Sequence, residues 1–172
     1  MNNKKTLSIW LIPDDKIINY QSILNNISKK LNSVKIIPHI TLVSSFHNQK
    51  DYSIEKLREV IVNEKCFGLK SSKIDIGSEY FQTLFIKIRI DSKIESLRNK
   101  FLKYFICKEI DNYNPHMSLA YGNFTDYEKN DIIKSSGNIL LKNDINITSI
   151  AIAENDEVNL NWKILEEIKL ND

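Results

Sequence analysis

The sequence predicts an α+β protein, or a mixed α/β one, on three observations. Apolar periodicity switches along the chain between period two and helical spacing, in the order strand, helix, strand, helix, strands, helix, strand, helix, strands. The 172 residues are 42% hydrophobic and 27% charged, enough apolar material for a sizeable core. No linker rich in Pro, Gly or Ser divides the chain, which holds 3 Pro and 4 Gly. Residues 1–172 are therefore expected to form a single unit, and any two lobes must be tightly joined.

Each element has its own local reason. "TLSIWLIP" reads as the first strand, with Leu7, Ile9 and Leu11 on one face and Thr6, Ser8 and Trp10 on the other. Asp14 or Asp15 is placed to cap a helix running to about Leu31, with Ile17, Ile18, Leu24, Ile27 and Leu31 near helical spacing. "HITLVSSF" is a second strand. "DYSIEKLREVIVNEKCF" is helical, with Ile54, Leu57, Val60 and Ile61 on one stripe. "LKSSKIDIGSEYFQTLFIKIRI" reads as two strands, or one bent pair, broken around Gly77. Ser92 is read as the cap of the helix "KIESLRNKFLKYFI", and the polar loop "CKEIDNYN" leads to the strand "PHMSLAYG". Thr125 caps a short helix beginning "DYEKNDI". The strands "INITSIAIAEND" and "NLNWKILEEIKL" close the chain.

Bulk properties exclude several function classes. Net charge is +2, and no run of Lys and Arg marks a long duplex nucleic-acid partner, while a small anionic ligand is compatible. No apolar run approaches the roughly 18 to 20 residues of a membrane span. The apolar part of the first strand is also too short for a signal peptide, so a cytoplasmic monomer away from membranes is expected. Cys66 and Cys107 are far apart and form no CxxC or Cys/His cluster. No metal or cofactor is expected. Buried free thiols are the default reading, with a single disulfide left open.

One motif occurs twice. Pro-His-x-(Thr/Ser)-Leu spans Pro38 to Leu42 and again Pro115 to Leu119, each time after a helix and a polar connection. On a strand, residues two apart share a face, so His39 projects with Thr41, and His116 with Ser118. Proline is tolerated at the start of a strand, where no ladder hydrogen bond is required of it. A single His beside a Thr on a strand is usually structural or solvated. Two matching copies suggest two similar units, each sending one strand to a shared centre. Imidazole titrates near ~6.5, so one ring can act as base and the other as acid around a phosphorus atom. The hydroxyls of Thr41 and Ser118 can donate to the non-bridging oxygens. His47 lies in the turn-like "FHNQKD" and is read as a surface residue. Lys87 and Arg89 are read as a solvated face, and Trp162 as packing for the terminal hairpin.

These paired strands resemble the two-histidine (2H) phosphoesterase superfamily, and most of all its cyclic phosphodiesterase family of plant and fungal type. "SIWLIP", "IPHITLV", "GSEYFQTLFIKI", "YNPHMSLAYGNFTDYEK" and "ITSIAIAENDEVNLNWKILEEIKL" carry the likeness over nearly the whole chain. The resemblance implies a bilobal fold with pseudo-twofold symmetry: two antiparallel sheets lining a cleft, helices outside. It implies hydrolysis of small cyclic phosphates, namely ADP-ribose 1″,2″-cyclic phosphate and nucleoside 2′,3′-cyclic phosphates, the latter opening to 2′-phosphates. His39 and His116 would be the catalytic pair, and Thr41 and Ser118 would hold the phosphate. His116 is taken here as base and His39 as acid, an order the sequence does not decide. Tyr121 matches a family tyrosine beside the site. Strict alternation puts it opposite His116, which requires a bend or bulge near Ala120. Trp10, on the polar face of its strand, and Phe81 are candidates for stacking on a base, with packing under a loop the competing reading. Two other activities stay open: a 2H enzyme acting on cyclic oligonucleotides or RNA ends, and a non-catalytic nucleotide- or RNA-binding module.

Overall fold

A computed structural model describes residues 5–46, 50–105 and 112–172. His47, Cys107 and most of the polar loop "CKEIDNYN" lie outside the described residues. The elements run β1 (Thr6–Pro13), α1 (Tyr20–Lys30), β2 (Ile40–Phe46), α2 (Lys50–Ile61), β3 (Phe67–Leu69), β4 (Ser71–Ile76), β5 (Leu84–Ile88), α3 (Ser92–Phe105), β6 (His116–Ala120), α4 (Asp126–Leu140), β7 (Ile145–Asp156) and β8 (Asn161–Lys169).

The protein is α+β, and its strands form two antiparallel sheets. The larger has the order β2-β1-β7-β3, with β8 pairing the same edge of β7 further along. The smaller has the order β4-β5-β6. Helices cover the backs, and the lobes exchange one each. α1 follows β1 in sequence but packs on β6, beside α4 on β4. α3 follows β5 but packs on β2, beside α2, which reaches β7. Each lobe is therefore closed by a helix that comes from the other. One apolar cluster runs through both, from Ile9, Leu11 and Leu57 to Ile86, Met117 and Ile132.

Several boundaries differ from expectation for local reasons. Asp14 and Asp15 accept from the backbone N–H groups of Lys16 and Tyr20, forming a turn that leaves Ile17 exposed. The cap of α1 is Asn19, whose side chain accepts from the Ser22 N–H. α2 ends at Ile61; the expected tail of that helix is a turn and connection, and its last residue, Phe67, enters β3, whose register with β7 pairs Phe67 with Ile147. Tertiary pairing outweighs helix propensity there. Asp91, not Ser92, caps α3 by accepting from the Ile94 N–H. α4 is longer than expected, at 15 residues, and starts with a full capping box between Thr125 and Glu128. Gly77 ends β4: a Cβ there would sit 2.0 Å from the Gln82 carbonyl oxygen, so only glycine lets the connection fold back on itself. That connection carries a 3₁₀ turn, Tyr80–Gln82. Among the described residues no helix is long and apolar enough to cross a membrane, and Cys66 is a free thiol.

Candidate active site

Between the sheets lies a cleft of about 460 Å³, in the range of small-molecule sites. β1 lines it with Ser8 and Trp10, the polar face expected of that strand, while Leu7, Ile9 and Leu11 go into the core. The first motif enters from the large sheet and the second from the small one, so His39, Thr41, His116 and Ser118 share the cleft. β2 begins at Ile40, so His39 stands just before the strand and not within it.

The two histidines are held alike. Nδ1 of His39 lies 2.7 Å from the Ile37 carbonyl, and Nδ1 of His116 lies 2.8 Å from the Asn114 carbonyl. A carbonyl only accepts, so each Nδ1 carries the hydrogen, and each neutral ring keeps its lone pair on Nε2. In both copies the residue that accepts is the one just before the proline. The proline fixes its own φ and biases its predecessor to extended backbone. This is a local reason for the Pro-His spacing.

Burial separates the pair. His39 is 9% exposed, and its pKa is pushed down to about 4, first by desolvation and further by the charge of His116, against the pull of the Ile37 carbonyl. His116 is only partly buried, and desolvation lowers it too, opposed by the Asn114 carbonyl. Both rings are neutral at neutral pH. A charge on His116 would disfavour one on His39, and both rings line the same cleft.

Trp10 stacks flat on His39, with ring centroids 3.7 Å apart and planes 14° from parallel. Ala151 and Ala153 sit beside the indole, where larger residues would displace it. Trp10 is 1% exposed, so it forms the floor beneath the imidazole and offers little free surface to a nucleobase. Tyr121 lines the cleft. The pairing of β5 with β6 shifts register between Leu84 and Phe85, opposite Ser118 to Ala120, which supplies the irregularity that alternation required. Burial raises the pKa of the Tyr121 phenol, with the nearby Ser118 hydroxyl pulling the other way. Phe81, half-buried on the 3₁₀ turn, meets Tyr121 edge-on at 5.4 Å and Trp162 at 6.0 Å. Its carbonyl accepts from Ser118 Oγ at 3.4 Å.

Some lining residues were not anticipated. Trp162, read from the sequence as hairpin packing, stands on the cleft wall 5.3 Å from Tyr121. Asn155 bonds the Ser8 hydroxyl at 3.1 Å across β1 and β7. Glu79 and Glu157 come from the β4–β5 and β7–β8 connections. A polar break at the end of the apolar run "SIAIAEND" was the one local sign of Asn155. Among the described residues no three His, Cys, Asp or Glu side chains gather into a metal-ligating cluster.

Known proteins bear on this geometry. The model of the family described as cyclic phosphodiesterase-like protein matches residues 5–170. A cyclic phosphodiesterase of Arabidopsis thaliana is 20% identical over 127 residues, covering 73% of this chain and 70% of the relative. Solved structures share the fold at lower identity. Escherichia coli LigT in complex with phosphate is 10% identical with a TM-score of 0.55, covering 98% of each chain. LigT in complex with NADP+ is also 10% identical, with a TM-score of 0.60 and the same coverage. TT0787 of Thermus thermophilus is 11% identical with a TM-score of 0.58, covering 96% of this chain and 97% of that one. The chain thus belongs to the cyclic phosphodiesterase-like family of the 2H phosphoesterases and is a phosphodiesterase.

Proposed function

We propose that the cleft hydrolyses nucleoside 2′,3′-cyclic phosphates to 2′-phosphates by two-histidine acid–base catalysis without a metal. The observation that carries this reading is the matched pair of neutral imidazoles, each with Nε2 freed by an Nδ1 bond to a carbonyl, in one cleft. Water attacks phosphorus while one Nε2 takes its proton. The bond from phosphorus to the 3′ oxygen breaks, and the other ring gives that oxygen a proton. Thr41 and Ser118 donate to the non-bridging oxygens. Each proton-transfer group is worth roughly 10²- to 10⁴-fold in rate.

We assign the base to His39 and the acid to His116, the reverse of the order adopted from the sequence. A base must start neutral, and His39 is held furthest from protonation. An acid must start charged. The more open His116 takes a proton more readily, all the more beside a bound phosphate anion. Phe81, Tyr121 and Trp162 then offer aromatic surface to the nucleoside, while Trp10 supports His39.

The test is phosphorus NMR of products from a panel of cyclic phosphates, with and without chelator. Turnover to a 2′-monoester that persists in chelator is expected. Wild-type rates in His39→Ala and His116→Ala would refute the site. An acyclic diester with a p-nitrophenolate leaving group needs no acid, so it should restore most of the activity of His116→Ala and little of that of His39→Ala. The opposite pattern would swap the roles.

A further inference from the structure

The described residues that line the cleft include no lysine or arginine. Its ionic side chains there are two carboxylates. Glu79 precedes the 3₁₀ turn that carries Phe81, and Glu157 opens the β7–β8 turn. Both are exposed, and neither forms an ion pair among the described residues. Glu157 is close enough for its charge to act on the Tyr121 phenol. A site for an anionic substrate would ordinarily gather cations. This one offers neutral donors at the phosphate end and negative charge beside the aromatic wall.

The charge of a substrate then decides how well it fits. A cyclic phosphodiester carries one negative charge, which hydroxyls and a protonated imidazole can hold. A second phosphate elsewhere on the nucleoside would meet the field of the two carboxylates. So would the product, because ring opening turns a monoanionic diester into a monoester close to dianionic at neutral pH. A carboxylate beside an aromatic wall can also accept from the amino groups of a base or from sugar hydroxyls, so it does not disfavour the nucleoside itself.

We propose that Glu79 and Glu157 are specificity-determining residues. They select nucleoside 2′,3′-cyclic phosphates with a free 5′-hydroxyl, exclude substrates bearing further phosphates such as ADP-ribose cyclic phosphate, and promote release of the monoester product. This rests on the reading that the cleft hydrolyses cyclic phosphodiesters. One cation lies nearby: Lys35 lines an adjoining pocket of about 100 Å³ that shares His39, Tyr121 and Trp162 with the cleft. It is the natural competitor to the proposal and enters the test.

The experiment compares kcat/KM for adenosine 2′,3′-cyclic phosphate, its 5′-phosphorylated form and ADP-ribose 1″,2″-cyclic phosphate. It uses the wild type, the Glu79→Gln/Glu157→Gln double variant and Lys35→Ala. Alongside, calorimetry measures binding of adenosine 2′-phosphate to each. The expected result is a preference of about tenfold or more for the 5′-hydroxyl substrate, shrinking at high salt. In the double variant that preference collapses toward unity, and adenosine 2′-phosphate binds about tenfold tighter. A wild-type preference for the 5′-phosphorylated substrate that Lys35→Ala abolishes would overturn the proposal in favour of a cationic subsite. An unchanged ratio and unchanged product affinity in the double variant would overturn it too. Failure of every cyclic phosphate to turn over would instead sink the phosphodiesterase reading, and the calorimetry would still report on the carboxylates.

Discussion

His39 is kept neutral by its surroundings, and that has a measurable consequence for stability. In the unfolded chain the ring titrates near ~6.5. In the folded protein it titrates at about 4. Between those values the unfolded chain binds a proton that the folded one refuses, so stability falls as pH drops through the window, by up to about 3 kcal/mol from this ring. His116, lowered in the same direction, adds to the loss. Denaturant unfolding at pH 7 and pH 4.5 should show this acid loss reduced in His39→Gln. Equal losses in the variant and the wild type would mean that His39 is not the group resisting protonation. The two imidazoles and their hydroxyl neighbours were legible at this scale, because side-chain alternation is a local rule that needs no knowledge of the fold. The stack of Trp10 on His39 was not. It depends on Ala151 and Ala153, which lie far along the chain on β7 and leave room for the indole.

At the scale of elements, one hydrogen bond ties the two motifs together. Tyr113, three residues before His116, donates its hydroxyl to the Thr41 carbonyl at 3.0 Å. The Arg98 guanidinium lies over the same ring at 4.4 Å, and burial raises the phenol's pKa far above its usual value. The edge of β2 is thus pinned to the segment that delivers His116. Tyr113→Phe should cost about 1 to 2 kcal/mol and lower kcat several-fold with KM little changed. Unaltered kcat would show that the two arms hold their spacing without the bond. The capping box of α4 makes the opposite case. It lies at an exposed helix end, so Thr125→Ala should cost about 1 kcal/mol of stability, read as a lower melting temperature, and leave kcat/KM unchanged. Thr125 was legible as the cap in the sequence, and its partner Glu128 came from the structure. The split of β3 from α2 was not, since Phe67 to Leu69 form a strand only because Ile145 to Ile147 of β7 are there to pair with them.

At the scale of the molecule, the exchange of α1 and α3 between lobes makes neither lobe complete alone. The core cluster runs without a break from the large sheet to the small one. Unfolding should therefore be a single transition, with tryptophan fluorescence reporting on Trp10 and Trp162 in the cleft and coinciding with far-ultraviolet circular dichroism. Two separated transitions would mean that the lobes are independently stable. The meeting of the two sheets gives the cleft its charge. Glu79 and Glu157 reach it from connections on different sheets, and nothing in the local sequence around either distinguishes it from a solvated turn.

The sequence alone determined which faces line the cleft: His39 with Thr41, His116 with Ser118, and the polar side of β1 with Ser8 and Trp10. Those faces follow from alternation and from two prolines, which act over two or three residues. Tertiary structure alone decided what those faces meet. It stacked Trp10 under His39, turned Trp162 toward Tyr121, and brought two carboxylates and both imidazoles to one cleft. Each of these joins residues far apart in the chain, only when two sheets close on one core, and no local periodicity encodes it.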